Sequence, residues 1–223
     1  MMIKAIFFNM DGTLLDSEKH WAQVPFDLFA HFGAPEDRAT ADWASTSFRA
    51  TLHAYLARPD HKLQMAYEDM EKWCVDRMFG EVYLNDIPLK DGAMETLKAA
   101  RATGLPLYLL SATRSDALEK TLVRTGIKEF FTIAVSTRGL KPDKHAPEFY
   151  QQFAQQQGYK PEECLVIEDA LYAMKTAKEA GCQVWAMYDD KHIKDEPEIR
   201  AVADRYVENH QLLQATIAQE FGK

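Results

Sequence analysis

Cysteine is scarce in this chain, and the three present form no pairing pattern. Cys74, Cys164 and Cys182 lie far apart, outside any C-x-x-C or zinc spacing. That excludes a disulfide framework and reads as the reduced thiols of a cytoplasmic protein. Long apolar runs are also missing. No stretch approaches the ~18–20 residues of a membrane span, and the opening run to Phe8 is too short for a secretory h-region. Cations are in deficit, with 26 Lys and Arg against 34 Asp and Glu and a net charge of -8. A nucleic-acid groove needs clustered cations, so no nucleic-acid partner is expected. The seven histidines show no H-x-x-x-H or similar spacing for zinc. There is no internal repeat, low-complexity tract or flexible linker. What remains is ordinary globular composition, 223 residues that are 47% hydrophobic and 27% charged. Such a chain buries a core without a metal or disulfide staple. The acidic balance leaves one partner class open: a small phosphorylated ligand, which one or two placed cations suffice to hold.

Five short runs rich in β-branched or aromatic residues stand out: Ile3–Phe8, Leu105–Leu110, Phe131–Val135, Cys164–Ile167 and Val184–Met187. None alternates cleanly, so each is expected to be a strand buried on both faces of a parallel sheet. Helical patterns lie between the later runs, at Gly92–Ala102, Arg114–Thr125, Pro147–Gln157 and Leu171–Ala180. Three of them stop near a glycine. The alternation predicts right-handed βαβ units in a doubly wound, Rossmann-like α/β core, with ligands at the carboxyl ends of the strands. Residues 18–86 break the alternation. Trp21–Phe32, Ser47–Leu56 and Met65–Phe79 carry apolar residues at helical spacing, with Trp21, Phe26, Phe29, Trp43, Met65, Met70, Trp73 and Met78 as the expected packing residues. The expected organisation is therefore a discontinuous core, residues 1–17 and 87–223, with a helical insertion at 18–86.

The chemistry gathers after the strands. The first runs into Asn9-Met10-Asp11-Gly12-Thr13, the second into Ser111-Ala112-Thr113, and the fourth into Glu168-Asp169. Lys141 and Lys144-His145-Ala146-Pro147 follow the third. Each feature is ordinary alone: a turn, an N-cap hydroxyl, a dipole-matched acidic pair, a surface lysine. Together, at successive strand ends, they outline a divalent-metal and phosphate site, with oxygen ligands for Mg²⁺ and N–H donors and a cation for the anion.

With these four motifs in this order, the chain resembles the haloacid dehalogenase superfamily, in particular its phosphatases and phosphomutases of the β-phosphoglucomutase-like type. That family pairs a Rossmann-like core with an α-helical cap domain after the first motif. The resemblance implies that Asp11 is the general acid/base and lends its backbone carbonyl to Mg²⁺, that Asp169 ligates the metal, and that Glu168 ligates or supports it. It further implies that Ser111 and the Ala112 N–H hold the phosphoryl group while a lysine neutralises it. The spacing to Pro147, Glu148 and Tyr150 selects Lys144, with Lys141 second. Arg49 is the residue of the insertion most suspected of touching substrate, while Tyr172 and Met174 read as helix–sheet packing. The family's nucleophile and metal-ligating aspartate is replaced by Asn9, a neutral amide, so turnover by this chain is expected to be very slow or nil.

Among the family chemistries, Asp11 and Asp169 argue against halide displacement, and no lysine of the insertion is marked as a Schiff base. A sugar phosphomutase carries a His twelve positions after the nucleophile. Here that position is Trp21, and His20 misses by one, a large change of direction on a helix. The expectation is thus a Mg²⁺-dependent phosphatase of a small sugar or polyol phosphate, monomeric, its cap closing over the substrate. A β-phosphoglucomutase-type mutase and a non-catalytic binder of phosphorylated ligands are the alternatives.

Overall fold

The computed structural model describes residues 2–41 and 47–222. Its chain runs β1 (Ala5–Phe8), α1 (Glu18–His31), α2 (Phe48–Ala57), α3 (Tyr67–Arg77), a π-helical turn (Met78–Val82), α4 (Tyr83–Asn85), α5 (Ala93–Ala102), β2 (Leu107–Ser111), α6 (Ser115–Thr125), β3 (Ile133–Ser136), α7 (Pro147–Gln156), β4 (Cys164–Glu168), α8 (Leu171–Glu179), β5 (Gln183–Met187), α9 (Glu196–Val202), β6 (Arg205–Val207) and α10 (His210–Phe221). It divides into two compact units, one of Met1–Asp16 with Pro88–Lys223 and one of Ser17–Ile87.

In the larger unit all six strands are parallel, in the order β3-β2-β1-β4-β5-β6. This is the doubly wound arrangement, and its direction of winding reverses between β1 and β4. The four apolar residues of β1 are fully buried at that reversal. Phe7 fixes one face of the sheet by edge-to-face contacts, 5.4 Å from Tyr108 and 5.2 Å from Phe153. Each such pair contributes about 0.5–1.5 kcal/mol beyond its buried area.

Burial on both faces holds for β1, β2 and β4 and fails for β3. Its position at the sheet edge leaves Ile133 39% exposed. The sequence pattern also missed everything after Met187. β6 is three residues long and opens on Arg205, so it presents no apolar run. α10 starts at a clear cap, the Asn209 side chain accepting from the Leu212 N–H, and packs His210, Leu213 and Ile217 inward beside α5.

Among the described residues the smaller unit has helices and no strand. Phe29 stacks on Tyr55 at 4.0 Å, and the Tyr55 hydroxyl accepts from the Leu63 N–H at 2.9 Å. Phe26, Phe29, Met70 and Met78 are buried as expected, whereas Trp21, Met65 and Trp73 are only half-buried. Trp43 lies outside the described residues.

Candidate active site

The register sets three strand ends side by side. Phe8 of β1 pairs with Leu109 and with Ile167, so Asn9 stands level with Leu110 and Glu168. Immediately after β1 the chain turns through Gly12, at φ +72°. A Cβ there would lie 2.2 Å from Asp169 Oδ2, so the turn and the close approach of the β4 loop both demand glycine. Thr13 follows, fully buried, and its hydroxyl donates to Asp169 Oδ1 at 2.9 Å.

The Thr13 carbonyl is held at 2.9 Å by His210 Nε2. A carbonyl only accepts, so the proton sits on Nε2, leaving Nδ1 to face the Thr96 hydroxyl at 3.1 Å. Burial, with the charge of Lys90 adding and the Thr13 bond opposing, pushes His210 down to about 4.

Asn9 is the junction of the cluster. Its Nδ2 donates to the Asp11 carbonyl and to Asp169 Oδ1, each at 2.7 Å, and lies 3.4 Å from Thr13 Oγ1. Its Oδ1 accepts from Lys144 Nζ at 3.1 Å. Lys144 is buried, its backbone carbonyl held by the Thr176 hydroxyl at 2.7 Å, and its ammonium also engages Glu168. Burial pushes Glu168 up to about 7, the Lys144 charge opposing and the Asp169 charge adding. From the end of β2, the Ser111 and Thr113 hydroxyls both donate to Asp11 Oδ2, at 3.2 and 2.6 Å. The Thr113 N–H donates to Ser111 Oγ at 3.0 Å, which fixes that hydroxyl's direction. Ala112, between them, is exposed.

Asp169 is satisfied on both oxygens, since His192 Nε2 faces its Oδ2 at 3.4 Å. Burial works to raise this carboxyl; the hydrogen bonds from His192 and Thr13, with the charges of His192 and Lys90, outweigh it and hold it below the usual range. Whether these residues fit Mg²⁺ turns on the donor set. Two groups that the resemblance assigns to the metal, the Asp11 carbonyl and the Asp169 carboxylate, do converge, the latter through Oδ1, but on the Asn9 amide nitrogen. Glu168 is turned to Lys144 and to the N–H groups of Asp169 and Ala170. Among the described residues no three His, Cys, Asp or Glu gather into a metal-binding group. With the amide so oriented, the set does not fit the ion.

The structure thus brings together Asn9, Asp11, Ser111, Lys144, Glu168 and Asp169 in the larger unit. Lys141 is exposed and no part of the network, which leaves Lys144 as the lysine of the cluster. Arg49 belongs to the smaller unit, exposed, with its Nε on Glu71 at 2.5 Å and its guanidinium over Phe48. Met174 packs in the core as expected, but Tyr172 does not. It is 40% exposed and stacks on His145 at 4.3 Å. Thr13, Thr113, His192 and His210 are additions. The two threonines stand inside the quoted motifs, where a hydroxyl beside a carboxylate was the available signal. The histidines lie after β5 and at α10, with no local pattern to flag them.

A six-stranded parallel sheet with its buried polar cluster at the carboxyl ends of β1, β2 and β4 defines a Rossmann-like α/β protein with an inserted helical unit. The chain belongs to the haloacid dehalogenase-like hydrolase family, whose profile matches residues 3–181. It is similar to validoxylamine A 7'-phosphate phosphatase of Streptomyces hygroscopicus subsp. limoneus, 28% identical over 189 residues, 81% of this chain and 83% of that protein. Hexitol phosphatase B of Escherichia coli K12 is 28% identical over 180 residues, 80% of each chain. Among solved structures, a haloacid dehalogenase family hydrolase of Deinococcus radiodurans R1 with bound phosphate and sodium superposes with a TM-score of 0.76 and 28% identity, covering 98% of this chain and 96% of that one. Among the described residues no helix is long and apolar enough to cross a membrane.

Proposed function

We propose that this is the scaffold of a phosphohydrolase for a small phosphorylated metabolite of the sugar or polyol phosphate class, with its nucleophile position occupied in this chain by Asn9. The observation that carries the reading is the constellation of buried Asn9 and Lys144 with half-buried Asp11 at adjoining strand ends. Relatives named as phosphatases of validoxylamine A 7'-phosphate, of hexitol and of fructose 1-phosphate, and one solved with phosphate bound, support the substrate class.

In this reading Lys144 neutralises the phosphoryl oxygens at position 9, and the Ser111 hydroxyl turns from Asp11 to the incoming anion. Asp11, placed by the Ser111 and Thr113 hydroxyls, has one carboxyl group that, protonated, gives its proton to the departing oxygen and, as the resulting carboxylate, later takes one from water. With a carboxylate at position 9, its oxygen bonds phosphorus as the ester oxygen leaves and is protonated. Water, losing its proton to Asp11, then releases phosphate and regenerates the carboxylate. Asn9 has no such lone-pair charge, so this chain is expected to bind and not turn over. Dependence on Mg²⁺ belongs, in this proposal, to the form with Asp at position 9. Arg49 remains the candidate substrate contact of the helical unit, and the protein is taken as a monomer.

The test is Asn9→Asp protein assayed with Mg²⁺ against a panel of phosphomonoesters. Release of phosphate from at least one sugar or polyol phosphate is expected, on the order of 10³-fold or more above the parent chain. Folded Asn9→Asp protein that hydrolyses nothing in the panel would sink the reading. A second reading, a non-catalytic binder of phosphorylated ligands, is favoured by Asn9 itself; it predicts a biological role unaltered by Asn9→Asp. The mutase alternative is weakened by Trp21, whose indole is spent on the Tyr83 hydroxyl at 3.0 Å.

A further inference from the structure

Asn9 has only one amide orientation that its neighbours accept. The Asp11 carbonyl can only accept a hydrogen bond, and so can Asp169 Oδ1; both lie 2.7 Å from Nδ2. On the other side the Lys144 ammonium can only donate, and it lies 3.1 Å from Oδ1. Rotating the amide by a half turn would set its NH₂ against an ammonium and its oxygen against two oxygens. All three contacts would change from attractive to repulsive in a site where Asn9 is 7% exposed and water is scarce.

The amide nitrogen stands where a cation bridging those two oxygens would have to stand. Mg²⁺ needs oxygen ligands at about 2.0–2.1 Å and near-octahedral geometry. It could reach Asp169 Oδ1 and the Asp11 carbonyl only by expelling Nδ2 from between them. The neutral amide also withholds a charge. Glu168 engages Lys144, and the Asp11 carboxylate engages Ser111 and Thr113, so among the described residues of the cluster Asp169 is the acid that faces this point.

We propose that the Asn9 NH₂ group substitutes for the divalent ion, closing the network without metal and excluding Mg²⁺ from this chain. Position 9 then sets two properties at once, the nucleophile and the occupant of the cation position. The inference rests on the family assignment of those two groups to the metal, which is part of the reading above, but not on any turnover.

The experiment is thermal unfolding of the full chain and of Asn9→Asp, in EDTA and then in rising MgCl₂ at ionic strength held constant with NaCl. The parent midpoint is expected to stay within about 1 °C throughout. The Asn9→Asp midpoint is expected to rise by about 5–10 °C once Mg²⁺ exceeds its Kd by about 100-fold. Asn9→Ser, which removes the amide without adding a charge, is expected to gain a smaller rise and covers the case in which Asn9→Asp fails to fold. A parent midpoint that climbs with Mg²⁺ as steeply as that of Asn9→Asp overturns the inference. So does a folded pair of variants, judged by circular dichroism, in which neither responds. A Mg²⁺-responsive Asn9→Asp protein that releases no phosphate defeats the phosphatase reading and leaves this one standing; a Mg²⁺-responsive parent does the reverse.

Discussion

At the residue scale, roles divide by what each side chain is bonded to. Asp11 faces two hydroxyl donors and Asp169 faces Asn9, Thr13 and His192, so the two aspartates, at the ends of neighbouring strands, suit different proposed duties. In an Asn9→Asp background, Asp11→Asn is expected to lower kcat by about 10²–10⁴, the usual worth of a positioned acid/base, measured by phosphate release at saturating substrate. His210 yields a pH prediction. Its folded-state value is depressed from 6.5 to about 4, so the unfolded chain binds the proton more readily. The stabilisation is complete above pH 6.5 and is lost as pH falls to 4, a change of about 3 kcal/mol. Glu168, raised to about 7, slopes the other way, its contribution fading as pH rises from 4.5 to 7. Urea unfolding of the parent and of His210→Gln between pH 4 and 7 separates the two. The Glu168 slope is common to both proteins, and the difference should shrink on acidification.

At the scale of elements, the central strands could be read from sequence because they are buried on both faces and so appear as unbroken apolar runs. β3 and β6 show why the rule weakens at edges: one is half exposed, and the other has three residues with an arginine first. α10 went unread although Asn209 is a good helix-start residue, because nothing in its sequence says which surface it covers. Asn209→Ala is expected to cost about 1 kcal/mol by loss of the cap bond to Leu212. Since His210 is the first residue of α10, the same change should also loosen its bond to the Thr13 carbonyl. Amide exchange in the loop at residues 9–15 would register that loosening, where a purely local fraying of α10 would not.

For the whole molecule, the net charge of -8 argued against polyanion partners and said nothing of the site. The cluster is acidic too, with Asp11, Glu168 and Asp169 set against a single buried lysine. It stays folded because nearly every charge in it has a hydrogen-bonding partner.

The sequence by itself determined the α/β alternation, the helical insertion and the four motifs, because these depend on local periodicity and short spacing. It also marked Asn9 as the position on which the proposed loss of turnover rests. Spacing selected Lys144, and tertiary structure joined it to Asn9; tertiary structure alone decided that His210 reaches the cluster and which way the Asn9 amide points. Each of those depends on donors and acceptors 100 to 200 residues away in the chain, brought within 3.5 Å by the parallel register of β1, β2 and β4 and the return of α10. No local pattern carries that information.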